Sequence, residues 1–167
     1  MIRAGIITLS DKASRGDRED RSGPLIRDVL GEIKADVQRY EVIPDEPLLL
    51  EKRLRQWSRE LDLIVTTGGT GIGPRDRTPE ATRKVIDREL PGYGEIMRMK
   101  SFEVTPKAVI SRSMAGVAGR CLIINLPGSP KAVSECLGFV LPAIPHTIEM
   151  ARGEGGECAR KDDHPET

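Results

Sequence analysis

The sequence predicts an α/β fold, a largely parallel sheet with helices on both faces, on three observations. Short apolar, β-branched runs recur along the chain, helical patterns lie between them, and polar or glycine-rich residues close each run. Runs without polar alternation are how strands covered on both faces read. Strand and helix in alternation then imply crossovers that lay helices over the sheet. At 167 residues the chain has the size of one domain with a substantial core.

In chain order, residues 4–9 (AGIITL) are the first such run, and Ser10 and Asp11 open a charged loop behind it, SDKASRGDREDRSGP. Its DREDR segment reads as a solvated charge run and is assigned no chemistry. Residues 24–34 carry Leu25, Ile26, Val29, Leu30 and Ile33 at helical spacing. Residues 36–43 (DVQRYEVI) alternate more and suit a strand nearer an edge, with Asp45 just beyond it. Leu49, Leu50, Leu54 and Trp57 mark a helix over 46–60.

Residues 61–67 (LDLIVTT) form a second buried strand, and Thr78-Pro79-Glu80 then starts a helix over 79–89 with a threonine cap, a first-turn proline and a carboxylate. Between 91 and 119 the pattern is weaker. GEIMRMKSF suits a helix, and AVISRSMAGVAGR feeds a hairpin into the strand at 121–126 (CLIINL). Asn125 and LPGSP follow that strand, Ser129 and Pro130 capping a last helix over 130–152 that Pro142 and Pro145 should break or kink. The domain is therefore placed at 1–152, and 153–167, with almost no apolar content, is expected to be a flexible tail.

The segment VTTGGTGIGPRDRTPEAT is the most informative stretch. It sets Gly68, Gly69, Gly71 and Gly73 in a connection between a strand and a helix, where ligands of open α/β sheets bind. Glycines there let backbone amides come close to a phosphate. Neither a Walker loop nor a full dinucleotide fingerprint is present. Asp76 is repelled by such an anion unless a cation intervenes, and magnesium held by one or two carboxylates plus phosphates is the natural mediator. Arg75 is placed to clamp the same anion. The alternative for Asp76 is a surface carboxylate paired with Arg75 or Arg77, or one capping a turn. Asp45 is either a second acid at the same sheet edge or a helix cap for Glu46 onward.

Composition excludes several classes. Lys plus Arg and Asp plus Glu are both 26, so no net field draws the chain to nucleic acid or an anionic membrane. Three cysteines, Cys121, Cys136 and Cys158, without CxxC spacing speak against a disulfide framework or structural zinc. The N-terminal apolar run is too short for a signal segment, so a cytoplasmic protein is expected. His146 and His164 form no cluster, and no Ser/His/Asp set stands in convincing context.

With those residues in place, the sequence resembles the molybdopterin adenylyltransferases, small bacterial proteins of molybdenum cofactor biosynthesis that are similar to one domain of gephyrin. The likeness runs from about Ile6 to Met150, on TLSDKASRGDREDRSGP, VIPDE, VTTGGTGIGPRDRTPEAT, PGYGEIMR, AVISRSMAGV and CLIINLPGSPKAV. The resemblance implies a three-layer α/β/α sandwich of the molybdopterin-binding fold, usually a homotrimer, that uses magnesium and ATP to adenylylate molybdopterin and release pyrophosphate. It implies that Asp45 and Asp76 are the metal-linked acids and that Gly68, Gly69, Thr70 and Gly71 contact phosphate. Ser111, Arg112 and Ser113, with Pro127 and Gly128, match segments around the pterin. Ser10, Asp11, Arg75 and Asn125 complete the expected site. Hand-over of product to a molybdenum insertase is the implied next step. The alternative is a pterin carrier or scaffold without efficient transfer.

Overall fold

The computed structural model describes residues 1–154; the part of the expected tail from Gly155 onward lies outside the described residues. Six strands, β1 (Ile2–Leu9), β2 (Ala35–Ile43), β3 (Leu63–Thr67), β4 (Arg88–Glu89), β5 (Met114–Ala118) and β6 (Cys121–Leu126), make one sheet in the order β2-β1-β3-β6-β5-β4. The four strands from β2 to β6 run parallel, and β5 and β4 continue the sheet antiparallel.

The period of two in the apolar runs sets the layers. Ala4 and Ile6, Leu63 and Val65, and Leu122 and Ile124 face one core, shared with α2 (Ser22–Gly31), α5 (Pro91–Val104), α6 (Pro130–Val140) and α7 (Ile144–Arg152). Ile7, Ile64 and Ile123 face the other, under α3 (Pro47–Trp57) and α4 (Thr78–Arg83). Each wholly buried Ile, Leu or Val among them contributes about 2 kcal/mol of transfer free energy. The result is the expected three-layer sandwich, with β2 at the edge as its alternation implies. Among the described residues no helix is long and apolar enough to cross a membrane.

Four local expectations are corrected. The helix expected over 79–89 ends at Arg83, because the chain instead enters β4, where Gly116 of β5 has no Cβ to meet Ile86 and the Arg88 carbonyl. The helix expected over 24–34 starts two residues earlier, since the Asp20 carboxylate accepts from the Ser22 and Gly23 amides at 2.9 and 3.1 Å. Thr78 does not cap α4; its hydroxyl donates to the Gly68 carbonyl at 2.9 Å. The charged loop after β1 begins with a short helix, α1 (Asp11–Ser14), capped by Ser10. The last helix does break, at a 3-10 turn over Leu141–Ala143 containing Pro142, and Ser129 caps α6 as expected.

Candidate active site

Because β1, β2, β3 and β6 are parallel, their carboxyl ends open on one edge of the sheet. A cleft of about 730 Å³ lies there, with Ser10, Asp45, Gly68, Gly69, Asp76 and Gly128 in its wall. The turn out of β3 is pinned to β6: the Gly68 amide donates to the Leu126 carbonyl at 3.2 Å and the Thr67 hydroxyl to that of Pro127 at 2.7 Å. Gly68 and Gly69 hold φ of 97° and 67°, the left-handed region. A Cβ on Gly68 would stand 2.3 Å from the Leu9 carbonyl oxygen, and one on Gly69 would stand 2.3 Å from the Thr78 hydroxyl. Those two glycines are thus required by the fold of the loop itself, whatever binds it.

The structure brings Asp45 and Asp76 to the same cleft. Asp45 Oδ2 accepts from the Asp11 amide at 3.1 Å, and Asp76 Oδ2 accepts from the Gly73 amide at 2.8 Å. In each acid Oδ1 has no hydrogen-bond partner among the described residues. Burial, then the charges of Asp11 and Asp76, push the Asp45 carboxyl above its usual range, while the Asp11 amide and Arg75 pull the other way. A carboxylate so placed favours a nearby cation. No three His, Cys, Asp or Glu side chains among the described residues converge as a self-sufficient metal cage. The donor set fits a hard ion such as magnesium, which takes one or two carboxylates and fills its shell with phosphate and water.

Thr70, Gly71, Ser111 and Pro127 line a second cleft of about 360 Å³, which shares Gly128 and Ser129 in its wall with the first. Arg98 and Lys107 stand in its wall, making this side the more positive. Ser111, Arg112 and Ser113 also border a smaller hollow beside α5. The Arg112 guanidinium is committed to the protein: it donates to the carbonyls of Gly71 and Asp76 at 2.7 and 2.6 Å and to the Glu80 carboxylate.

Three expected site residues line none of these hollows. Arg75 grips Asp11 through two bonds of 2.7 and 2.9 Å and reaches Glu46 at 3.3 Å, so it straps the rim of the cleft. Asp11 is correspondingly held below the usual carboxylate range, chiefly by that guanidinium. Asn125, expected beyond the strand, lies inside β6, fully buried, with its amide donating to the Thr66 hydroxyl at 2.9 Å.

With that geometry in view, the family described as "probable molybdopterin binding domain" matches residues 5–146. The chain belongs to that family. It is 48% identical over 156 residues to the molybdopterin adenylyltransferase of Helicobacter pylori strain J99, spanning 91% of this chain and 89% of the relative. Gephyrin from Dictyostelium discoideum is 42% identical over 157 residues, 87% of this chain but 22% of that longer protein. Among solved structures, the molybdopterin biosynthesis enzyme MoaB from Thermus thermophilus superposes with a TM-score of 0.86 at 52% identity, over 92% and 98% of the two chains.

In this molybdopterin-binding domain, sequence reasoning missed three residues. Asp20 sat in a stretch read as a solvated charge run, yet its carboxylate lines the first cleft and accepts from the Thr8 hydroxyl at 2.6 Å and from Tyr40. Burial works to raise its pKa, but these bonds outweigh it and lower the value. The spacing Asp20-x-Ser22-Gly23 ahead of Pro24 was a readable capping signal. Arg18 lines the same cleft and has no partner among the described residues. Lys107 lines the second cleft equally unpaired, and no local pattern announced either one.

Proposed function

We propose that this chain is a molybdopterin adenylyltransferase of molybdenum cofactor biosynthesis, transferring AMP from ATP to molybdopterin. The observation that carries this reading is the pairing of Asp45 and Asp76 over one cleft that shares Gly128 and Ser129 in its wall with a second, more positive cleft. Two neighbouring hollows of different charge suit two anionic substrates meeting end to end. In the reaction a terminal phosphate oxygen of molybdopterin attacks the α-phosphorus of ATP, the bond to the pyrophosphate oxygen breaks, and pyrophosphate leaves. The attacking phosphate is already ionised near neutral pH, so no strong base is needed.

The protein's part is positioning and charge. Asp45 and Asp76 would hold magnesium, which neutralises charge on the leaving pyrophosphate. The 69–71 amides supply backbone donors, that of Gly68 being held by the Leu126 carbonyl. Ser10 and Gly128 bound the nucleotide side, and Ser111, Ser113 and Pro127 bound the pterin side. Arg75 keeps the Asp11 and Asp45 segments together. A homotrimer is proposed as well: Met99, Phe102, Val104, Val109 and Ile110 expose an apolar face on α5 and the turn after it, which association would cover. A cytoplasmic enzyme that hands its product to a molybdenum insertase completes the reading.

Incubating the chain with molybdopterin, ATP and magnesium and assaying pyrophosphate tests it. Release is expected in the wild type and near loss in Asp76→Asn with the fold intact. Tight pterin binding without pyrophosphate would select the carrier reading instead.

A further inference from the structure

We propose that Arg112 acts as a positioning residue, clamping the Asp76 loop to the 111–113 segment so that the two halves of the site move as one; this rests on the adenylyl-transfer reading above. Resemblance places Arg112 among residues around the pterin, where a guanidinium would be taken as a ligand for the substrate's phosphate. Its bonds assign it differently. Nε donates to the Gly71 carbonyl, Nη2 to the Asp76 carbonyl, and Nη1 to the Glu80 carboxylate. Its own amide donates to the Thr70 carbonyl at 2.9 Å. One side chain thus ties together three points of the loop and α4 between residues 71 and 80.

The other end of the segment is anchored too. Arg98 on α5 donates to the Ser113 carbonyl at 2.8 Å, and Gly94 lets the same carbonyl pack against the helix, where a Cβ would come within 2.7 Å. A continuous set of contacts therefore runs from α5 through residues 111–113 to the backbone of Asp76. Swinging Arg112 onto a ligand would break three bonds at once, one of them to a carboxylate whose second oxygen, Oε2 of Glu80, is already buried without a partner. Only a planar fork reaches three acceptors in this way. Lysine, a single point charge, does not.

Arg112→Lys separates the alternatives because it keeps the charge and loses the fork. Expected are a rise of about tenfold in the magnesium concentration that half-saturates turnover, the scale of one lost charge-assisted bond, and an unchanged dissociation constant for molybdopterin by calorimetry. Hydrogen exchange supplies a readout independent of activity. The Gly73 and Asp76 amides, which close the loop on the Asp76 carboxylate and the Gly73 carbonyl, should exchange faster, while Leu63–Thr67 stays as protected as in the wild type. Glu80→Gln weakens one contact of the three and should shift the same quantities in the same direction by less.

Unaltered exchange at Gly73 and Asp76, or loss of molybdopterin affinity with the magnesium titration unmoved, overturns the clamp. A wild-type chain that releases no pyrophosphate overturns the transfer reading alone. The exchange data then still decide for or against the clamp.

Discussion

Asp11 and Asp45 exchange hydrogen bonds across the tips of β1 and β2: the Asp11 amide donates to Asp45 Oδ2 at 3.1 Å and the Asp45 amide to Asp11 Oδ1 at 3.0 Å. The loop after one strand thereby orients the acid that follows its neighbour. Arg75 covers the charge of Asp11 from outside, so of these two acids only Asp45 faces the cleft with a free oxygen.

Asp45→Asn is expected to stabilise the protein while disabling it. Burial and neighbouring acids raise the pKa of Asp45 in the fold. A raised carboxyl contributes stability below its unfolded value, about 3.9, and loses that contribution as pH rises through the folded value. Near neutral pH without magnesium, the ionised group therefore costs stability, and asparagine still accepts from the Asp11 amide. Thermal unfolding between pH 4 and 8 should show the variant melting higher at neutral pH, with the gap closing toward acid. A lower melting point at pH 7 would mean that the carboxylate is structural.

Arg18→Ala should weaken ATP binding and leave the fold unchanged. The side chain is exposed, lines the first cleft and has no partner within the described residues. One charge-assisted bond to a phosphate corresponds to a rise of about tenfold in the KM for ATP. Steady-state kinetics alongside a melting curve checks this; an unmoved KM removes Arg18 from the site.

Gly68→Ala should damage both stability and activity. Its φ of 97° and the Leu9 carbonyl oxygen 2.3 Å from an added Cβ leave no room without backbone movement. A cost of about 2 kcal/mol or more is expected from strain at such a position. Denaturant unfolding measures it, and a variant as stable as the wild type would show that the turn can rearrange.

Asp62→Asn should loosen the end of the sheet away from the site. Asp62 is 4% exposed and accepts from the Arg3 amide at 2.9 Å, from the Arg3 guanidinium and from Arg152 at 2.9 Å. Burial pushes its carboxyl up, but those bonds prevail and hold it far below the usual range. A depressed carboxyl stabilises above its unfolded value, about 3.9, and that contribution is lost as pH falls through the folded value. The variant should lose about 2 kcal/mol at pH 7, and the gap to the wild type should narrow in acid.

Much of the sheet could be read in advance because its strands carry their own signal. Residues 4–9 and 121–126 lie in β1 and β6, the run expected over 61–67 forms β3 from Leu63 on, and the hairpin into Cys121 stands where the Gly116 and Gly119 region implied. Asp45 and Asp76 were drawn together by an argument that needed only parallel strands. Asp20 was legible at most as a cap and not as part of the cleft, since Thr8 and Tyr40 approach it from elsewhere in the chain. The end of α4 at Arg83 was missed because β4 pairs with a strand nearly thirty residues on.

What the amino-acid sequence determined by itself was periodic or adjacent: the alternation of strand and helix, the buried faces, the cap at Ser129 and the crowding of glycines after Thr67. Those depend on a residue and its near neighbours, so one dimension is enough to show them. Only the tertiary structure decided which polar groups are already spoken for. Arg75 and Arg112 are spent on the protein, Asn125 is sealed inside the sheet, and Arg18 and Lys107 remain unpaired at the two clefts among the described residues. A donor's availability is set by partners that folding brings from distant positions, and no local pattern records them.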